Sequence, residues 1–242
     1  MSANFFVELN VVGKLRRIFI CVDKYCNKIW RFVEALSLKW LCIKLFFINL
    51  RMKKSEIRKI YLEKRKNLSQ DEDFLLSERI FENFINFFKP VSNQKVHIFV
   101  PIEKFKEINT QIFIDYFLSR NIKVFVPKIV DTKLISVEIF SDTQFETNNW
   151  GISEPVSNED SEVLDFDFVI TPLLYCDFRG NRVGYGKGFY DQFFENISKN
   201  SKKIGVNYFN PDDIIDDVRE NDIPLDYLVT ATDVLSFSVK SE

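Results

Sequence analysis

The chain has 242 residues, enough for one sizeable domain with or without an appendage. Its 46% hydrophobic and 28% charged residues match a soluble globular protein. A net charge of −2 removes any overall electrostatic case for nucleic acid.

Residues 1–51 differ from the rest. They carry a balance of +6 against −8 for the remainder, and they hold Cys21, Cys26 and Cys42. Neither a CxxC pair nor a histidine partner accompanies these cysteines or the lone Cys176, so the sequence supports neither a zinc site nor a disulfide framework, and a reducing cytoplasm is the default. The apolar runs 17–22 and 41–48 are too short to span a bilayer, and Lys28, Arg31, Glu34, Lys39 and Lys44 interrupt every longer window. A basic amphipathic helix on a membrane surface is one reading of the segment. The other is an N-terminal extension outside the functional protein, poorly packed or helical and dispensable, ahead of a functional domain that starts at Met52 and covers 52–242. Lys53-Lys-Ser-Glu-Ile-Arg-Lys59 after Met52 opens a helix and favours the second.

Residues 53–66 form a charged helix with Ile57, Tyr61 and Leu62 on one face. Ser69-Gln-Asp-Glu72 is a capping box, so a second helix runs from about 70 to 88 and stops at Pro90. Lys95–Val100 is a buried strand. Asn109 or Thr110 caps a helix through about Leu118. Lys123–Val126 is a strand stopped by Pro127, Leu134–Phe140 is another, and Phe166–Thr171 a third that leads into a glycine-rich segment. A helix from Gly188 to about Ile197 follows, with strands near Lys203–Val206 and Tyr227–Thr230. Strands alternating with helices predict an α/β fold, a mostly parallel sheet flanked by helices. Ligands in such folds gather at the carboxyl ends of the strands.

The segment Gly180-Asn-Arg-Val-Gly-Tyr-Gly-Lys-Gly-Phe-Tyr-Asp191 holds four of the seven glycines. Bare backbone lets N–H groups close on an anion. Arg182 and Lys187 supply cations for phosphate, one a planar fork and one a point charge. Asp191 supplies an oxygen ligand for a hard cation such as Mg²⁺. The spacing matches neither a Walker A loop nor a dinucleotide fingerprint. The following helix would turn its positive end toward the anion.

Other polar residues have plainer readings. His97, the single histidine, lies in a buried strand and reads as a satisfied core residue. Glu107 favours the dipole of the helix after it. Lys54 and Arg58, at i and i+4, present two cations on one helix face, beside Lys53, Lys59, Lys64, Arg65 and Lys66 on a basic, solvated surface. Asp222 is a turn residue, and Trp150, before Gly151, is a packing anchor.

Taken in order, Lys54-x-x-x-Arg58, the strand His97–Val100 with Glu107-Ile-Asn-Thr110, the turn Gly151-Ile-Ser-Glu-Pro155, Asp167-Phe-Val-Ile-Thr-Pro172 and the glycine segment resemble the 5-formyltetrahydrofolate cyclo-ligase family. The resemblance covers nearly all of residues 53–230, and its most specific piece is the segment 180–191. It implies an enzyme that closes 5-formyltetrahydrofolate to 5,10-methenyltetrahydrofolate with ATP and Mg²⁺, releasing ADP and phosphate. By position it assigns Lys54 and Arg58 to ATP, together with Arg182, Gly184, Tyr185, Gly186, Lys187, Gly188, Phe189 and Tyr190. Lys187 is nearest the transferring phosphoryl group, and Arg182 acts with it. Asp191 and Asp222 become the Mg²⁺ ligands. Val100 and Glu107 line the folate side, and Tyr185, Gly186, Lys187, Gly188 and Phe189 form the seam between the substrates. Tyr185 stands where some members carry Arg, and Phe189 replaces a frequent Tyr. Neither nucleic acid nor membrane is an expected partner, and the chain is read as a cytoplasmic monomer. Two alternatives stand beside this reading. One is another ATP-dependent small-molecule enzyme on the same scaffold. The other is a non-catalytic folate or nucleotide binder, against which Lys187 and Asp191 argue.

Overall fold

A computed structural model describes residues 3–11, 14–22, 51–131, 133–148 and 151–237. The chain divides into two units, Met1–Asn49 and Leu50–Glu242. In the first, β1 (Ala3–Val11) and β2 (Lys14–Val22) pair antiparallel, from Ala3 opposite Val22 to Val11 opposite Lys14. The expected helical extension is therefore not found over these residues. Residues 23–50 and Trp150 lie outside the described residues.

The second unit opens with β3 (Arg51–Met52), which pairs parallel with β13 (Ile214–Ile215). Helix α1 (Lys54–Lys66) follows and buries Ile57, Tyr61 and Arg65. Helix α2 (Gln70–Phe88) starts at the expected capping box: Ser69 Oγ accepts from Glu72 N–H and Glu72 Oε2 accepts from Ser69 N–H. Such a cap contributes about 1 kcal/mol. The chain continues through β4 (Lys95–Ile98), α3 (Gln111–Ser119), β5 (Lys123–Val130), β6 (Lys133–Ile139), β7 (Phe145–Thr147), β8 (Ser153–Pro155) and β9 (Phe168–Thr171). A ribbon of β10 (Tyr175–Cys176) and β11 (Arg182–Val183) precedes α4 (Phe189–Asn196), β12 (Lys202–Val206), β14 (Tyr227–Val229) and β15 (Val234–Ser236).

Seven strands form the central sheet in the order β15-β14-β12-β9-β4-β5-β6. The five inner strands are parallel and both edge strands antiparallel. Alternation along the strands divides the core. Val96, Ile98, Val124, Val126, Phe168, Ile170, Ile204 and Val206 pack with Ile80 and Phe84 of α2 and Phe113 and Phe117 of α3. Phe125, Val169 and Leu228 point the other way, toward Phe193 and Phe194 of α4. Period-two alternation with apolar residues on both faces is what a parallel sheet between two helical layers requires.

Two expectations need correction. Pro127 does not stop β5, which runs on to Val130 against β6. Its neighbour β4 pairs only with Lys123–Phe125, so beyond that point the strand is an edge where a missing N–H is tolerated. The strand Phe168–Thr171 also does not lead directly into a phosphate loop. Gly180 closes the β10–β11 turn at φ +82, where a Cβ would meet the Leu225 carbonyl oxygen at 2.8 Å. The open part of the segment is 184–188.

One glycine sits mid-sheet. A Cβ on Gly205 of β12 would approach the side chains of Leu173 and Leu225 to 2.6 Å each. Both leucines are buried against the sheet.

Candidate functional site

At the carboxyl ends of β4 and β9 lies a cleft of about 810 Å³. One wall is α1, with Lys54, Ser55 and Arg58. A second follows β4, with Phe99, Val100, Ile102 and Glu107. Pro127, Ile129 and Leu134 of the β5–β6 hairpin and Ile152–Glu154 form a third. The glycine segment from Arg182 and Gly184 to Asp191 faces them, and Asp217, Arg219, Asn221 and Asp222 close one end. Every residue assigned a ligand role from sequence lines this one cleft: Lys54, Arg58, Val100, Glu107, Arg182, Gly184 through Asp191, and Asp222.

The glycine loop has the shape its composition requires. Gly186 and Gly188 adopt φ +90 and +76, which side chains other than glycine rarely take. Gly188 is the N-cap of α4 and supplies no side-chain cap, and the first turn of that helix lines the cleft. Lys187 between them is exposed and makes no hydrogen bond or ion pair among the described residues. Beneath the loop, Arg58 Nε–H donates to the Gly184 carbonyl oxygen at 2.8 Å.

Arg182 and Lys54 are already engaged. Arg182 has an 8% exposed side chain; its Nη2 donates to Asp191 Oδ1 at 2.6 Å and its Nη1 to the Ile223 carbonyl oxygen. Its guanidinium also lies 4.6 Å from the centre of the Phe194 ring. Burial draws Arg182 below its ordinary pKa while Asp191 and Asp222 oppose the shift. Lys54 pairs with Asp222 Oδ2 through Nζ, and its backbone N–H donates to Asp217 Oδ1 at 2.6 Å, so α1 is capped by a carboxylate from another loop. Burial works to raise the Asp222 carboxyl, but the Arg219 N–H, Lys54 and Arg182 outweigh it and hold it below the usual range.

Asp191 and Asp222 meet around Arg182, and Asp191 Oδ1 also accepts from Ile223 N–H at 3.4 Å. Asp191 Oδ2 and Asp222 Oδ1 have no partner among the described residues. Two carboxylate oxygens beside the glycine loop are a donor set that fits Mg²⁺, which takes one or two protein carboxylates and completes its shell with other oxygens.

Across the cleft, Glu107 is only 6% exposed. Its Oε1 accepts from the Tyr185 hydroxyl at 2.6 Å and its Oε2 from Ile102 N–H at 2.9 Å. Burial raises its pKa, against the opposing effect of those two donors and Arg65. Tyr185 thus spans from the glycine loop to the Glu107 wall. Tyr190, at the start of α4, has its hydroxyl buried without a partner, its ring edge-on to Phe193. His97 lies in the core behind it as expected, but it is not satisfied. Both ring nitrogens lack partners among the described residues, where Phe166 and Phe193 pack against the ring, and burial pushes its pKa down to about 3.

The sequence profile of the 5-formyltetrahydrofolate cyclo-ligase family matches residues 51–231. The chain belongs to that family. It is 28% identical over 185 residues to the 5-formyltetrahydrofolate cyclo-ligase of Mycoplasma pneumoniae, covering 74% of this chain and 98% of the relative. The Haemophilus influenzae cyclo-ligase is 28% identical over 161 residues, covering 64% and 83%. Among solved structures, the Aquifex aeolicus 5,10-methenyltetrahydrofolate synthetase superposes with a TM-score of 0.67 at 30% identity, covering 79% of this chain and 96% of its own. The M. pneumoniae synthetase superposes at 0.58 with 22% identity, over 74% and 99%, and speaks for the fold.

Among the polar residues of this family member's cleft region that sequence reasoning missed, two are buried. Glu154 is buried in the cleft lining, inside the Gly151–Pro155 turn, whose sequence does not single it out. Arg65 reads in sequence as part of the solvated basic face, yet it is 1% exposed. Seven residues beyond Arg58, it returns to the same face of α1, and that spacing was the available signal.

Proposed function

We propose that this protein carries out the ATP- and Mg²⁺-dependent cyclisation of 5-formyltetrahydrofolate to 5,10-methenyltetrahydrofolate, releasing ADP and phosphate. The observation that carries the reading is one cleft with an unpartnered Lys187 in a bare backbone loop on one side and a buried, hydrogen-bonded Glu107 on the other. An anion-binding loop facing a polar acceptor in an apolar wall suits a reaction that joins a phosphate donor to a heterocycle.

The formamide oxygen at N5 is a poor leaving group. It attacks the γ-phosphorus of ATP, the bond to the bridging oxygen breaks, and ADP departs. The formyl carbon then carries a phosphate ester. N10 attacks that carbon, phosphate leaves with the C–O bonding pair, N10 gives up its proton, and the 5,10-methenyl ring is closed. Lys187 places an ammonium where charge develops on the transferring group, and the N–H groups of 186–190 face the same oxygens. Arg58 and the Arg182–Asp191 pair hold the loop in shape. Mg²⁺, held by Asp191 and Asp222, would neutralise phosphate charge. Glu107 accepts hydrogen bonds from the pterin and orients it.

Mixing the protein with ATP, Mg²⁺ and 5-formyltetrahydrofolate is expected to raise the near-ultraviolet absorbance of the methenyl product. ATP hydrolysis without that product would point to a different ATP-dependent enzyme, and tight folate binding without hydrolysis to a binding protein. The activity is assigned to residues 52–242, so a chain starting at Met52 is expected to retain it.

A further inference from the structure

Lys54, Arg58 and Arg65 occupy one face of α1 at i, i+4 and i+11. The first two line the cleft, while Arg65 lies behind its wall. A guanidinium buried there is unfavourable unless charge and hydrogen bonds compensate it. Its Nη2 donates to the Leu173 carbonyl oxygen at 2.6 Å, and its Nη1 approaches the Tyr185 hydroxyl at 3.4 Å. Its Nε has no partner among the described residues, and the adjoining void, lined by Phe99, Glu107 and Leu173, has no room for water. No carboxylate contacts Arg65 among the described residues. The carboxylate tied to it is Glu107, one hydroxyl away through Tyr185.

The inventory of protons gives this chain a direction. Arg65 can only donate. The Tyr185 oxygen therefore accepts from it, and the single phenolic proton is directed to Glu107 Oε1. Ile102 N–H occupies Oε2 in the same sense. Glu107 is left with acceptor capacity toward the cleft, which selects a heterocycle edge that presents N–H donors.

Building on the proposed folate reaction, we propose that Arg65 is a positioning residue: through the Tyr185 hydroxyl it orients Glu107 as a hydrogen-bond acceptor for the pterin. It touches neither substrate. Its influence falls on folate and not on ATP, because the Lys54–Asp222 and Arg58–Gly184 contacts do not pass through it.

The test uses the full chain with Arg65→Met, Arg65→Lys, Tyr185→Phe and the double variant Arg65→Met/Tyr185→Phe. Tyr185→Phe keeps the ring and removes only the relay, so it serves even where Arg65→Met fails to fold. Losing a hydrogen bond to a charged group should raise KM for 5-formyltetrahydrofolate about tenfold or more, with KM for ATP changed by less than about threefold. Arg65→Lys should fall between native and Arg65→Met, and the double variant should be no worse than the poorer single one. An unchanged folate KM in Tyr185→Phe overturns the inference, as does an equal rise in both KM values or multiplication of the two single effects. A native protein that binds 5-formyltetrahydrofolate without forming product removes the proposed function alone. Titrating native and Tyr185→Phe protein with that compound then decides the inference, by a weaker or an unchanged Kd. A native protein that neither binds nor converts it overturns both.

Discussion

Arg58 lies directly under Gly186. A Cβ on that glycine would come within 3.2 Å of the guanidinium carbon, at a backbone φ of +90. The contact explains why a chain sparing with glycine places one here: the cation supports the loop only if the loop has no side chain below it.

Gly186→Ala should therefore damage nucleotide binding before it damages the fold. Strain at positive φ costs about 1 kcal/mol or more, and the displaced Arg58 adds to it. The expected result is a rise of roughly tenfold or more in KM for ATP. Steady-state kinetics beside a thermal melt checks this, and an unaltered KM for ATP would mean that the loop does not hold phosphate.

Lys187 is exposed and unpartnered, so its removal should leave stability nearly untouched. Lys187→Ala is expected to lose on the order of 10²–10³ in kcat, as when one preorganised charge-stabilising donor is removed. Its melting midpoint should move by less than about 2 °C. Equal turnover in variant and native protein would take the ammonium out of the reaction.

Asp222 faces Lys54 with one oxygen and has the other free. Asp222→Asn keeps the shape and removes the charge. The Mg²⁺ concentration giving half-maximal rate should rise roughly tenfold at saturating ATP, in keeping with the loss of one charged ligand of a weakly held cation. A magnesium titration of the rate reads this directly, and coincident curves for the two proteins would remove Asp222 from the metal.

His97 gives a prediction for stability. It is held neutral in the fold, with its pKa lowered from 6.5 to about 3 by burial. The unfolded chain gains its proton as pH falls through about 6.5, and the folded chain does not until near pH 3. Stability from this group is therefore complete above pH 6.5. It declines on acidification, by up to about 1.4 kcal/mol per pH unit. His97→Phe should lose that component of the acid slope, because an apolar ring among Phe166 and Phe193 cannot titrate. Urea unfolding of both proteins between pH 4 and 7 (a range spanning the fall) measures the difference, and parallel slopes would refute it.

The α/β order was legible because its signals are local. The Ser69–Glu72 capping box and the alternating Val, Ile and Phe of β4, β5, β9 and β12 each report their own geometry. What escaped the sequence depends on neighbours. Pro127 reads as a strand end until β4 is seen to stop pairing at Phe125. His97 reads as satisfied until its aromatic surroundings are known. The candidate site was legible as a set of residues but not as a set of charges. Lys187 and Arg182 look equivalent in the glycine segment, yet one is free and the other is tied to Asp191 and Ile223. Arg65 looks like any exposed cation until α1 is laid against Leu173 and Tyr185.

Gly205 sits on β12, inside the sheet, and does not line the cleft of the proposed reaction. The space its absent side chain leaves is filled by Leu173, whose carbonyl grips Arg65, and by Leu225, whose N–H donates to the Gly180 carbonyl at 2.9 Å. A single methyl group there would push both anchors outward at once. Such a lesion would surface in a genetic screen as a loss of enzyme function, although the residue that caused it never approaches a ligand.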